Sequence, residues 1–201
     1  MIEQWQAWRW KARVFIARGI HARHVLRTAS RRVIEYDVLG QVHHELHPKA
    51  ILSVGIAPYT AHYPALLRPA RYETIDADAE ETRWCAPDGH KIGNAATIGS
   101  LWPPASFDVV ICHGVYGWGL DSAADLRSAL HGIASVLRPG GFLLFGWNRL
   151  AGRDPLAIED HLDSIFHGFE PAKLGGAGYR DTDEVTRVRL RYFRTPAPST
   201  D

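Results

Sequence analysis

The sequence predicts an α/β protein with a doubly wound, mostly parallel sheet and a helical N-terminal segment. After Pro48, short β-rich runs alternate with stretches of helix length, as they do when crossover helices join parallel strands. Residues 107–112 (FDVVIC) are apolar at nearly every position, which is typical of a central strand buried on both faces. The 201 residues favour one domain with one core.

The predicted elements are based on local patterns. Strands are expected at residues 50–54, 72–75, 90–93, 107–112, 142–147 and 188–193. A helix is expected over residues 122–137, because Ser122 is a suitable N-cap and apolar side chains line one side of the segment after it. Residues 138–141 (RPGG) predict a tight turn that ends this helix.

Residues 1–48 are predicted to form a helical lid or cap on the same domain, whose main part spans residues 49–195. Gly19 predicts the end of a first helix, and a second helix is expected to carry Val25 and Leu26 and later Val33. Five apolar side chains are spaced so that they should share one face of the first helix: Trp5, Trp8, Ala12, Phe15 and Ile16.

The N-terminal segment is strongly basic. Up to Arg32 it contains eight Lys and Arg residues against one acidic residue, Glu3. This bias favours a solvated face on helices that pack against the sheet. A membrane-surface face or a nucleic-acid face also fits the pattern, as does a transit peptide, although the tryptophans argue against the last.

The bulk composition excludes several classes. The formal net charge is +1, so the chain as a whole gives no electrostatic reason to expect a nucleic-acid partner. Its two cysteines, Cys85 and Cys112, predict neither a disulfide nor a four-ligand zinc site. No secretory signal and no apolar stretch of about 20 residues is visible, so we expect a cytoplasmic protein without a membrane span.

Two residues at strand ends suggest a ligand site, because ligands of doubly wound sheets bind at the carboxyl ends of the strands. Gly55 follows the first strand and allows a tight turn. Asp76 ends the second strand 21 positions later, where a carboxylate can accept hydrogen bonds from ribose hydroxyls. Taken alone, a loop glycine and a turn aspartate explain this pair equally well.

Residues 50–147 resemble a class I S-adenosylmethionine (SAM)-dependent methyltransferase. The matching segments are AILSVGIAPYT, YETIDAD, KIGNAA, FDVVICHGVYGWGLD and LRPGGFLLFGWN, in the order and spacing of that family. The resemblance implies a seven-stranded sheet of order 3-2-1-4-5-7-6 whose last strand, here residues 188–193, is antiparallel. It also implies S-adenosyl-L-methionine as the cofactor.

The resemblance further implies the site residues. Asp76 corresponds to the family's ribose acid, and Asn94 stands where a side chain meets the adenine amino group. His113 and Tyr116 follow the fourth strand and are expected to face the methyl group, as candidate catalytic residues. The cofactor is expected to contact Ser53, Gly55, Ala57, Asp76, Ala77, Asn94, Ala95 and His113.

The loop after the first strand departs from the family pattern. Ser53 stands where the family carries an acid, and Ala57 and Tyr59 stand where it carries glycines. Pro58 also removes one backbone donor. Two outcomes are therefore open: the loop leaves room for the methionine end of SAM, or the Tyr59 side chain fills that part of the pocket.

Other candidate residues give weaker evidence for a site. Trp102 and Trp118 could form the walls of an acceptor pocket, although such residues more often belong to a core or a lid. His43 and His47 are spaced four apart, but no third ligand is evident, so no metal site is predicted.

Three functions remain open from the sequence. The first is a SAM-dependent methyltransferase acting on a small molecule, since 201 residues leave little room for a separate substrate domain. The second is a non-catalytic binding or partner module of the same fold. The third is a nicotinamide-dependent oxidoreductase, which is disfavoured because the three-glycine fingerprint is missing. The sequence predicts no oligomeric state.

Overall fold

The computed structural model describes residues 2–20, 23, 27–149, 158–169, 179–181 and 188–196. Within these residues, no helix is both long enough and apolar enough to cross a membrane.

A mixed sheet forms the centre of the protein. Its strands run in the order β3-β2-β1-β4-β5-β8-β6, and β7 also pairs with β8. β1 to β5 are parallel, and β8 is antiparallel to β5. The strands are β1 (Ala50–Val54), β2 (Arg71–Asp76), β3 (His90–Ile92), β4 (Phe107–His113), β5 (Leu137–Asn148), β6 (His167–Gly168), β7 (Tyr179–Asp181) and β8 (Val188–Arg194).

The predicted fold class and strand order are confirmed. β8 occupies the seventh-strand position and is antiparallel, as expected for residues 188–193. β6 and β7 share the edge position beside it, because both pair with β8 at different heights. Among the described residues, the sheet therefore has seven positions, and the edge position beside β8 is divided between the two short strands β6 and β7.

Helices cover both faces of the sheet. The α-helices are Ile2–Ile20, Ala29–Arg32, Leu39–Gln41, Tyr63–Leu67, Ile98–Leu101, Ala123–Val136 and Ile158–Ile165. The segments Val33–Val38 and Val42–Leu46 are π-helical, so residues 29–46 form one continuous helix with two widened turns. The 3₁₀ helices are Pro58–Thr60, Ala79–Trp84 and Ala95–Thr97.

Side chains of the central strands alternate between two apolar layers. Leu52 and Val110 point towards the layer that contains helix Ala123–Val136. Ile51 and Val109 point towards the layer that contains the N-terminal helices. This double burial explains why β1 and β4 are apolar at successive positions.

The helix expected over residues 122–137 is present as Ala123–Val136. The Ser122 hydroxyl caps it by accepting a hydrogen bond from the Asp125 N–H at 3.0 Å. The turn expected at residues 138–141 lies within the first residues of β5, which starts directly after the helix and is longer than predicted. Gly140 provides the turn with a φ of +72°.

The side chains that were expected to share one face of the first helix do not form the face that packs on the domain. Trp5, Trp8 and Phe15 are exposed, whereas Trp10 and Val14 on the opposite side are buried. The helix also runs one residue beyond Gly19. Residues 25 and 26, expected at the start of the second helix, lie outside the described residues.

A close contact with the second helix selects the face that is buried. The Trp10 indole N–H donates a hydrogen bond to the Glu35 carbonyl oxygen at 3.0 Å. A Cβ atom at Gly40 would lie only 2.7 Å from the Trp10 Nε1, so glycine is needed for this approach.

Glu35 joins three parts of the chain. Its carboxylate is fully buried, 3.3 Å from the Arg18 Nε of the first helix and 3.3 Å from the His62 Nε2. Removing one partner of a buried ionic contact leaves the others unpaired, which destabilises a protein more than the intact contact stabilises it.

We predict that Glu35→Ala lowers the free energy of unfolding by about 3 kcal/mol or more. Urea denaturation measures this change. Glu80→Ala is the control, because Glu80 is exposed. Equal stability losses for the two variants would contradict a central role for Glu35.

Candidate active site

A cavity of about 520 Å³ lies at the carboxyl edge of the parallel strands. This volume is in the usual range for small-molecule sites. Seven of the predicted cofactor residues line it: Gly55, Ala57, Asp76, Ala77, Asn94, Ala95 and His113.

Gly55 and Asp76 fix the two loops at the centre of the cavity. Gly55 has a φ of +82°, and a Cβ atom there would approach the Val115 Cγ2 to 2.8 Å. The Asp76 Oδ2 accepts a hydrogen bond from the Ile56 N–H, and its Oδ1 accepts one from the Asp78 N–H, both at 2.8 Å. Each carboxylate oxygen keeps further acceptor capacity for a ligand.

The altered loop folds without requiring glycine. Ala57 has φ −159° and ψ 160°, an extended conformation open to any residue. Pro58 starts the 3₁₀ helix Pro58–Thr60, where its fixed φ is suitable. The Thr60 hydroxyl oxygen accepts a hydrogen bond from the Ala57 N–H at 3.1 Å. Tyr59 forms part of the cavity wall and leaves the cavity open.

Arg31 is a cavity residue that sequence reasoning missed. Its side chain is only 8% exposed, and its guanidinium lies 4.2 Å from the centre of the Tyr59 ring. The Nη1 donates a hydrogen bond to the Tyr63 hydroxyl at 3.0 Å. Within the described residues, no carboxylate lies within 4 Å of this guanidinium. In the sequence, Arg31 could not be distinguished from the other basic residues of the N-terminal segment, most of which are solvated.

His113 lies at the end of β4 against β5. Gly146 makes room for it, because a Cβ atom there would lie 2.5 Å from the His113 Cδ2. The His113 Nε2 is buried and has no hydrogen-bond partner within the described residues. Burial, and to a lesser extent the charge of Arg31, lowers the pKa of His113 to about 3, so the imidazole is neutral at physiological pH.

Asn94 and Glu81 lie on the β2–β3 side of the cavity. The Asn94 Oδ1 caps the 3₁₀ helix Ala95–Thr97 by accepting a hydrogen bond from the Ala96 N–H at 2.8 Å. Glu81, which sequence reasoning also missed, has a buried Oε2 that meets no hydrogen-bond partner among the described residues. Together with Asp76 and Asp78, Glu81 makes this side acidic, whereas Arg31 brings a positive charge to the β1–β4 side.

Two predicted site residues lie outside the cavity lining. Ser53 is buried on the other side of β1, close to Tyr72. Tyr116 is half-buried against the apolar layer beneath helix Ala123–Val136. The geometry therefore gives no support to a catalytic role for Tyr116 or to a cofactor contact from Ser53.

The remaining candidates have other environments. Trp102 is buried and donates a hydrogen bond to the Glu73 Oε2 at 2.8 Å, whereas Trp118 is largely exposed at the cavity. His43 stacks on Trp10 with ring centres 5.3 Å apart. His47 comes after the helical segment with a φ of 46°, which ends the i, i+4 relation expected for the two histidines.

Sequence comparison identifies the central part of the chain. Residues 52–145 match the family model described as "Methyltransferase domain". This match, which spans just under half of the chain, supports membership of the class I SAM-dependent methyltransferase family. No curated protein sequence matches the chain at a significant level.

Solved methyltransferase structures share the fold. The N-methyltransferase NodS from Bradyrhizobium japonicum WM9, in complex with S-adenosyl-l-homocysteine, is 17% identical, with 90% of this chain and 98% of that chain covered and a TM-score of 0.56. The 1,6-didemethyltoxoflavin-N1-methyltransferase from Burkholderia thailandensis is 14% identical, with 77% and 75% covered and a TM-score of 0.56.

The same fold also occurs in an enzyme named for another reaction. The [4+2]-cyclase SpnF is 13% identical, with 74% of each chain covered and a TM-score of 0.53. At these identities the similarity shows a common fold, and the reaction has to be argued from the site.

The neutral state of His113 predicts a pH dependence of stability. The folded-state pKa is about 3 and the ordinary value is 6.5, so the unfolded chain binds a proton in this window that the folded methyltransferase domain does not. The contribution of His113 to stability is complete above pH 6.5 and is lost as the pH falls towards 3.

We predict that His113→Gln makes stability less dependent on pH in this window. Urea denaturation midpoints at about pH 7.5 and about pH 5 measure the effect. His131→Gln, on the exposed side of helix Ala123–Val136, is the control. Identical pH slopes for wild type and His113→Gln would exclude the buried neutral imidazole.

Proposed function

We propose that the protein is a methyltransferase that transfers the methyl group of SAM to a small-molecule acceptor. SAM, the cofactor of this family, supplies a methyl group activated by a sulfonium. The observation that carries the proposal is a cavity with an acceptor-rich side at Asp76 and a positively charged side at Arg31. SAM has matching groups, namely ribose hydroxyls and a methionyl carboxylate.

The acidic side fits the nucleoside part. The Asp76 carboxylate is held in place by two backbone N–H donors, so it is oriented before a ligand arrives. We infer that its free acceptor capacity takes the two ribose hydroxyls. Ala77 and Ala95 line the cavity with small side chains and leave space for a flat base.

Arg31 fits the methionyl carboxylate. A buried guanidinium without a carboxylate partner is costly unless a ligand supplies one, and it binds carboxylates with directed, charge-assisted hydrogen bonds. Tyr59 supports the guanidinium from one face. The tyrosine that replaces a family glycine thus acts as a platform for Arg31, which accounts for the altered loop within an active enzyme.

His113 is suited to positioning the acceptor. With a pKa of about 3, its imidazole is a weak base at neutral pH, and its ring forms part of the cavity wall against which an acceptor can be held. Methyl transfer depends mainly on alignment of the acceptor nucleophile with the methyl carbon. We therefore assign His113 an orienting role.

A small acceptor is supported by the dimensions of the cavity, which has a volume of about 520 Å³. The cysteines Cys85 and Cys112 are free, which agrees with a reducing compartment, and we propose a cytoplasmic location. The alternative, a non-catalytic module of this fold, rested on the altered loop and loses that support.

We predict that Asp76→Ala weakens SAM binding at least about tenfold, since a hydrogen bond to a charged group contributes roughly 1.5–3 kcal/mol. Calorimetric titration measures the affinity. Asp88→Ala is the control, because Asp88 also accepts a backbone N–H but lies outside the cavity lining. If wild type binds NADH and not SAM, the methyltransferase proposal fails.

The proposed contact between Arg31 and the methionyl carboxylate can be tested with a ligand that lacks this carboxylate. Arg31→Gln should weaken S-adenosylhomocysteine binding about tenfold or more, because charged hydrogen bonds to the carboxylate are lost. Binding of 5′-methylthioadenosine, which lacks that carboxylate, should be unchanged. Isothermal titration calorimetry with both ligands measures the difference.

The neighbouring Arg32→Gln controls for a general loss of charge, since Arg32 is exposed. Tyr59→Phe should retain affinity because it keeps the aromatic platform, whereas Tyr59→Gly should weaken S-adenosylhomocysteine binding. An equal loss for both ligands in Arg31→Gln would show that Arg31 acts on the cavity as a whole.

A further inference from the structure

The first helix carries an exposed apolar stripe. Within the described residues, seven large hydrophobic side chains are exposed, and five of them belong to this helix. Their exposed fractions lie between 59% and 76%. These five residues, called the stripe below, are Trp5, Trp8, Phe15, Ile16 and Ile20.

The stripe is not needed to attach the helix to the domain. Trp10, Val14 and Ala17 on the opposite side provide the buried contacts, and Arg18 pairs with Glu35. The helix is thus apolar on two sides, and only one of them is covered by the domain. Burial of a large apolar side chain is worth about 1.5–3 kcal/mol, so an exposed stripe of this size marks an interaction surface.

Basic side chains border the stripe. Arg9 lies one turn from Trp5, with its guanidinium 4.6 Å from the ring centre, and Lys11 lies one turn from Phe15. Both are exposed, and so are Arg23, Arg27 and Arg32 beyond the helix. Arg13 and Arg18, by contrast, are engaged with the domain.

This combination favours an anionic surface over a second copy of the chain. Two stripes packed together would bring Arg9 and Lys11 of one copy near the same cations of the other, which is repulsive. A lipid surface with acidic headgroups attracts these cations, and tryptophan prefers the interface between headgroups and acyl chains.

We propose that helix Ile2–Ile20 is an interfacial membrane anchor. It lies in the plane of an anionic bilayer, with the stripe in the headgroup–acyl boundary and the bordering cations at the acidic headgroups. The helix does not span the bilayer. The proposal is independent of the function of the cavity, because none of the stripe residues lines it.

Vesicle binding of the full chain tests the proposal. The wild type should co-sediment with phosphatidylcholine vesicles that contain phosphatidylserine. Binding should become weaker as the salt concentration rises, and it should be weaker to vesicles made of phosphatidylcholine alone. The double variant Trp8→Ser/Phe15→Ser should bind at least about tenfold more weakly, since it removes two of the inserted side chains. Arg9→Gln/Lys11→Gln should weaken binding to the anionic vesicles only.

Ile92→Ser is the matched control, because Ile92 is an exposed apolar residue on β3. Unchanged thermal unfolding of Trp8→Ser/Phe15→Ser would show that the fold is retained. The proposal is overturned if the wild type does not bind anionic vesicles, or if the double variant binds as well as wild type. It is also overturned if the stripe variants instead dissociate a dimer detected by sedimentation.

Discussion

The buried carboxylate of Glu35 determines where the N-terminal part of the chain lies. It pairs with Arg18 and His62, while the backbone of the same residue receives the Trp10 indole. Arg31 precedes Glu35 by one helical turn, so the two side chains project from the same face of the helix. Fixing Glu35 against the domain therefore brings Arg31 over the carboxyl ends of β1 and β4.

The cavity combines parts of different origin. The acidic side is built by the ends of β2 and β3 and the loops after them, which are held together by Asp76. The positively charged side comes from Arg31, which lies on the helix of residues 29–46. Arg31 precedes Asp76 by more than 40 positions in the chain. A ligand that carries both hydroxyl donors and a carboxylate satisfies both sides at once, and the cost of holding Arg31 in a buried place is then offset.

The altered loop leaves the cavity open despite its replacements in the family motif. Ala57 occupies an extended conformation, so its methyl group causes no strain. The sequence left open whether Tyr59 fills the ligand site; in the structure its ring is covered by Arg31 and forms part of the cavity wall. This compensation could not be predicted, because the two residues are 28 positions apart and only the tertiary structure brings them together.

The sequence by itself determined the sheet and the centre of the site. Double-sided burial makes central parallel strands continuously apolar, and Gly55 and Asp76 lie directly at strand ends, where neighbouring loops must meet. The period-two alternation within β1 also places Ser53 on the face opposite to Leu52 and Val54, although the motif alone suggested a ligand contact.

Only the tertiary structure decided which face of the first helix is covered. Trp5, Trp8 and Phe15 have helical spacing, but so have Trp10, Val14 and Ala17, and periodicity cannot choose between two apolar faces. The covered face is determined by the contact of Trp10 with Glu35 and Gly40, which are distant from it in sequence. These two residues leave space for one indole ring. Arg31 became a site residue for the same reason, since its burial depends on partners that no local pattern reveals.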